Sequence, residues 1–161
     1  MILSVFHLVA IKSAAAQHCA RFGSLASRNG TPLTVPANYD RYDAILLSEQ
    51  LLDQPFQVRL GSGATIRLLN VSGRSFSSRL GFVEGAYDLG GRGPSGRAAA
   101  SYVLEAVLSG LSENEARALH DGLDGPALGA DPGEDDSRGQ GTYRGGDPAQ
   151  PREVYIYITH Q

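Results

Sequence analysis

The stretch GGRGPSGRAAASYVLEAVL, residues 90–108, decides how the chain is read. Its first half contains G-x-G-x-x-G at Gly91, Gly93 and Gly96 and nearly spells a P-loop, while AAASYVLEAVL reads as a helix, predicted over residues 97–109. A dinucleotide fold needs a hydrophobic strand immediately before the glycines, a second strand after the helix, and an acid about 20 residues on to hold the ribose. Here AYDL (86–89) is a poor strand, and SENEARALH (112–120) after the helix is itself helical. The P-loop alignment on Gly91 and Gly96 puts Arg97 where a lysine belongs and Ala98 where a Ser/Thr hydroxyl would hold magnesium. Both fingerprints fail on context. The stretch is predicted to be a glycine-rich entry into a helix begun by Pro94 and Ser95.

A general physical possibility survives in the loop. Amides and the positive dipole end at a helix N-terminus, flanked by Arg92 and Arg97, suit a phosphate or carboxylate. On that alternative Arg92, Ser95, Gly96 and Arg97 hold a phosphate-bearing ligand such as coenzyme A, in a small enzyme faintly similar to acyltransferases that cradle the pyrophosphate with an Arg/Gly-rich turn. The strand such enzymes place between this helix and ENEARAL (113–119) is missing.

Upstream, KSAAAQHCARFGSLASR (12–28) is alanine-rich, with Ala15, Cys19, Phe22 and Ala26 on one helical face, and Asn29-Gly30 supplies a left-handed exit. After the proline-containing connector TPLTVPANY, Asp40 is placed to cap a second helix, DRYDAILLSEQLLDQ, that Pro55 stops; Tyr42, Ile45, Leu46 and Leu52 share its face and Glu49 lies beside them. FQVRL (56–60), GSG and ATIRLLNV (64–71) predict a β-hairpin, and SRLGFVEG a third extended piece. Downstream, Ser112 and Glu115 form the S-x-x-E capping box of another helix. Residues 124–151 concentrate glycine, proline and acid and predict a mobile surface loop within the domain. EVYIYIT (153–159) alternates Val154, Ile156 and Ile158 against Tyr155 and Tyr157 as a closing strand. Runs of like elements favour one α+β domain over 1–161, a small, mainly antiparallel sheet with a central hairpin and C-terminal strand packed against about four helices.

Composition narrows the function. The 161 residues carry a net charge of −3 with scattered basic side chains, which gives no footprint for nucleic acid. One cysteine, Cys19, excludes an internal disulfide. The apolar opening, residues 1–11, is far short of the roughly 20 residues that span a bilayer. It reads as a buried strand or helix, with a signal cleaved after AAA (14–16) as the alternative, although no Lys or Arg precedes the run.

Catalytic spelling is scarce. Ser95 sits in G-P-S-G rather than G-x-S-x-G. His7, His18, His120 and His160 have no ligand spacing, so no metal and no cofactor is assigned. His18 and Cys19 are adjacent and point about 100° apart on a helix, which favours packing over a dyad. Asp131, Glu134, Asp135 and Asp136 lack the EF-hand pattern, and Asn70-Val-Ser72 is a chance-level glycosylation triplet. No catalytic residue is assigned.

RFGSLASRNGTPL (21–33), the helix YDRYDAILLSEQLL (39–52), the pair QVRL and IRLLNV, then GPSGRAAASYVLEAVL and PREVYIYI resemble, in order and local texture, the bacterial cellulose synthase operon protein D family over residues 20–161. The resemblance implies a non-catalytic accessory subunit of a cellulose or other exopolysaccharide complex: a ring-like homo-octamer at an inner-membrane synthase that guides glucan chains, soluble and peripheral, on the periplasmic or the cytoplasmic side. It also implies an apolar helix face, on 12–28 or 97–109, left for a neighbouring copy to cover. The family's tryptophan entering the first hairpin strand is replaced near Phe56, and residues 1–19 do not match. A third expectation, a partner-binding domain of the immunity or chaperone-like kind, suits the acidity and size alone.

Overall fold

The computed structural model describes residues 5–33, 38–70, 102–128, 141–143, 147 and 149–161. In chain order it builds α1 (Val5–Phe22), β1 (Ser27–Arg28), β2 (Thr31–Pro32), β3 (Asn38–Asp40), α2 (Tyr42–Ser48), β4 (Gly63–Asn70), β5 (Tyr102–Leu111), α3 (Glu113–Asp124), a 3-10 turn (Pro126–Leu128), β6 (Gly141–Tyr143) and β7 (Arg152–His160). β1 and β2 form a small ribbon. The others form a five-stranded sheet in the order β3-β4-β5-β7-β6, antiparallel at each pairing. The class is α+β with a small antiparallel sheet, as the sequence predicts.

The largest departure from the sequence expectation falls in the stretch 90–108. Residues 102–109, expected as helix, belong to β5 at the centre of the sheet, paired with β4 from Gly63↔Ser109 to Asn70↔Tyr102 and with β7 on its other side. A strand buried on both faces reads as a near-continuous apolar run, which periodicity alone does not separate from a buried helix. Leu104, Ala106 and Leu108 join the main core with Ile66, Leu68, Val154 and Ile156, while Val107 pairs with Tyr155 in a separate cluster. On that second face Arg67 stands directly opposite Glu105, donates to its Oε1 from Nε and Nη2 at 3.0 and 2.8 Å, and lies 5.6 Å from the Tyr155 ring.

The expected hairpin also changes. β4 forms, but its partners are β3 and β5, and Phe56–Leu60 is not a strand. Phe56 is buried and its amide goes to the Asp43 carboxylate at 2.9 Å, which removes it from any ladder. Helix α1 starts earlier and stops earlier than the alanine content suggests, because Leu8, Ile11, Ala14, Ala15 and His18 form its buried face. Gly23, at φ 78, ends it by donating its N–H to Cys19 O at 2.7 Å. Asn29-Gly30, expected as the helix exit, is the two-residue turn of the β1–β2 ribbon, with φ of 48 and 83. Helix α2 is shorter than predicted: Asp40 pairs with Arg67 inside β3, and Arg41 takes the N-cap position at φ 62.

The Ser112–Glu115 capping box is present in both directions, at 3.2 and 2.8 Å. Within 124–151 the described residues include a strand: β6 pairs with β7, and Gly141 N–H is held by Asp124 Oδ2 at 2.8 Å. Val154, Ile156 and Ile158 face the main core as the alternation predicts. Beyond β7, Gln161 exchanges backbone hydrogen bonds with Tyr102, and its side chain bridges Gly23 O and Leu25 N–H at 2.9 and 2.6 Å. The end of the sheet is thereby tied to the connection between α1 and β1.

Gly61 has φ 69, and a Cβ there would collide with the Ser109 carbonyl, because Ser62 N–H donates to the same oxygen at 2.8 Å. Gly61→Ala is expected to destabilise the fold by about 2 kcal/mol or more, since left-handed strain and backbone overlap add. Gly63→Ala, with nothing within 4 Å of the new methyl, should stay within about 0.5 kcal/mol. Urea denaturation of the two variants checks the contrast.

Candidate functional site

Helix α1, the β1–β2 ribbon and α2 meet at His18. Its Nδ1 lies 2.5 and 2.7 Å from the two carboxylate oxygens of Glu49, the C-cap residue of α2, and its Nε2 lies 2.9 Å from Ser27 Oγ. A serine, an imidazole and a carboxylate in this order have the spatial arrangement of a hydrolytic triad. Burial argues against that use: the His18 and Glu49 side chains are 0 and 1 % exposed, and Ser27 is 3 % exposed. The Ser27 hydroxyl already donates to Ser24 O at 3.0 Å, so it accepts from His18 Nε2–H rather than offering its proton to it. Neighbouring amides are engaged too. Leu25 N–H donates to Gln161 Oε1, Ala26 N–H to Ser24 Oγ, and Ser27 N–H to Leu25 O, so none of these amides is left to meet an oxyanion. What the arrangement can do is bind three elements together by a charge-assisted pair and a relay of hydrogen bonds.

Tyr42 completes the cluster. Its ring stands 5.9 Å edge-on to the His18 ring and its hydroxyl donates to Leu25 O at 2.7 Å. Burial, then the negative charges that Cys19 and Glu49 can carry, push its phenol far above the ordinary tyrosine range. Burial also raises the Cys19 thiol. Cys19 packs against the core half-buried rather than toward a catalytic partner, as its helical angle to His18 predicts.

A concave surface is lined in part by chain neighbours of this cluster, Gln17 and Leu51. A cleft of about 440 Å³ opens between α1 and residues 51–56. Ile11, Ala14, Leu51, Leu52 and Phe56 give it an apolar floor. His7, Ser13, Gln17, Asp53 and Gln54 give it a polar rim. The size is that of a small-ligand pocket, which spans about 300–1,000 Å³.

Arg92, Ser95, Gly96 and Arg97 lie outside the described residues, as do 71–101 in general and the acids at 131–136. The four histidines stay apart: His7 is at the cleft, His18 in the cluster, His120 against Gly141 O at 2.8 Å, and His160 beside the Tyr157 hydroxyl. Among the described residues no group of three His, Cys, Asp or Glu side chains is placed to hold a metal ion, and no helix is long and apolar enough to cross a membrane. Sequence reasoning misses Ser27 and the role of Glu49. An acid at a helix C-terminus opposes the helix dipole, and that misplacement is the available signal of an external partner.

Two outcomes test the cluster. Replacing one partner, as in His18→Ala or Glu49→Ala, strands a buried charge and should cost about 3–5 kcal/mol in urea denaturation. Tyr42 acts at the alkaline end. The folded state keeps a phenolic proton that the unfolded chain releases near pH about 10, so this contribution is present below that pH and is lost as pH rises past it. Comparing unfolding free energies at pH about 9 and about 11, Tyr42→Phe should flatten the alkaline fall relative to the wild type.

Neither a protein-family model, nor a curated protein, nor a solved structure matches the chain.

Proposed function

We propose that the chain is a non-catalytic, homo-oligomeric accessory subunit of a bacterial exopolysaccharide complex, cellulose foremost, which holds and orders glucan chains. The cleft between α1 and residues 51–56 carries this reading. Its apolar floor suits the face of a pyranose ring, and the Gln17 and Gln54 amides, the Ser13 hydroxyl and the Asp53 carboxylate suit sugar hydroxyls. The α+β class with an antiparallel sheet is the coarse point of agreement with the family resemblance, whereas residues 56–60 and 102–109 depart from the hairpin and the helix on which it is drawn. The sealed state of Ser27, His18 and Glu49 leaves that group a structural part in a binding protein.

The contact between copies has neither of the two expected helix faces to use. Residues 102–109 are a buried strand, and the apolar face of α1 is already spent on the protomer's own core. Among the described residues Val9, 59 % exposed on the outer face of α1, is the large apolar side chain left for a neighbour.

Calorimetry with cellohexaose and sedimentation velocity test the reading. Cellohexaose should bind, and Gln17→Ala with Asp53→Ala should weaken it by about 1–3 kcal/mol as hydrogen bonds are lost. The protein should sediment as a closed oligomer. A strict monomer that gives no heat with cellohexaose overturns the proposal.

A further inference from the structure

The α1 wall of the cleft is one stripe of the helix. His7, Ala10, Ala14 and Gln17 recur at spacings of three and four, so the stripe runs about 15 Å along the axis at about 1.5 Å per residue. That length takes a run of linked sugar rings rather than a single ring. Its charge is one-sided: Asp53 is the one carboxylate among the lining residues, and no lysine or arginine lines the cleft. The acids nearby are already engaged, Glu49 by His18 and Asp43 by the Phe56 amide and Arg41. Asp53 is exposed and has neither an ion-pair nor a hydrogen-bond partner among the described residues.

Neighbouring basic side chains are placed elsewhere. At about 100° per residue Lys12 falls on the side of α1 opposite the stripe. Arg21 continues the stripe one turn beyond Gln17, but it lies outside the lining, with its guanidinium 5.9 Å from the Phe22 ring. Arg41 stands at the start of α2, 3.4 Å from Asp43, and Arg59 does not line the cleft. The start of α1 brings a partial positive charge to the His7 end, and that field fades within the first turn. The carboxylate at the rim is therefore left for the ligand to answer. A sugar hydroxyl or a protonated amino group donates to it, whereas a uronate sets a second acceptor-only anion against it.

We propose that Asp53 is the selectivity residue of the cleft: it makes the cleft a site for neutral glucan chains and, more tightly, for glucan chains that carry amino groups, and it turns uronate chains away. The inference rests on the glucan reading for the kind of polymer and adds the class of chain that the site takes.

Calorimetry on the full chain with cellohexaose, a glucosamine hexamer and a glucuronate hexamer of the same linkage tests it, at pH about 6 so that the sugar amines keep their protons. In salt of about 0.05 M the amino hexamer should bind about fivefold tighter than cellohexaose and the uronate about fivefold weaker, the size of one charge contact at an exposed rim, and both differences should close at about 0.5 M. Asp53→Asn keeps an acceptor oxygen without the charge, and should bring the three ligands within about twofold of one another. Asp40→Asn makes the same charge change at an exposed residue outside the lining, and should leave the order intact. A uronate that binds as tightly as cellohexaose, an order that ignores salt, or an order that survives Asp53→Asn overturns the inference and leaves the glucan reading standing. Binding of the amino hexamer through Asp53 with no heat from cellohexaose keeps the inference and removes the cellulose reading. Heat from none of the three removes both.

Discussion

The contact between His18 and Glu49 is the constraint on which the helical half of the molecule depends. One end is on the last turns of α1, the other closes α2, and Ser27 brings the β1–β2 ribbon onto the same ring. Each charge is sealed from water, so neither partner keeps an alternative once the other is lost. Hydrophobic burial of Leu8, Ile11, Ile45 and Leu46 brings these elements together without direction. The ion pair supplies the direction, and it sets how far α1 stands from the 51–56 wall. The cleft exists because that distance is fixed.

The sheet side repeats the device in a different form. Arg67 and Glu105 face each other on neighbouring strands, with Tyr155 alongside the guanidinium, so a charged pair marks the register between β4 and β5. A one-residue slip would separate the pair and turn Ile66 and Leu68 away from the core. Gln161 links the two halves, since it extends the β5–β7 pairing and reaches the Gly23–Leu25 turn that leads into Ser27.

Much of the fold is legible where a local rule coincides with the global answer. The Ser112–Glu115 capping box and the alternation of Val154, Ile156 and Ile158 can be read directly, because capping and period are local physics. The α+β class follows from the order of elements. Residues 102–109 of β5 read as helix because alanines at 98–100 favour one and because a strand covered on both faces shows no alternation. Asn29-Gly30 is recognisable as a left-handed turn but not as part of a ribbon, since helix exits and two-residue hairpins ask for the same dihedral angles. The cluster is not legible at all. Ser27, His18 and Glu49 are brought together by tertiary packing across separations of 9 and 31 residues, and no spacing rule encodes that.

The most direct test of the central claim is a double-mutant cycle on His18→Gln and Glu49→Gln, with stabilities from urea denaturation at neutral pH. If the pair organises α1 against α2, the two changes couple by about 1–3 kcal/mol, and the double variant is more stable than the sum of the single losses implies. Additivity to within about 0.5 kcal/mol would mean that the two side chains act independently, and the account would be contradicted.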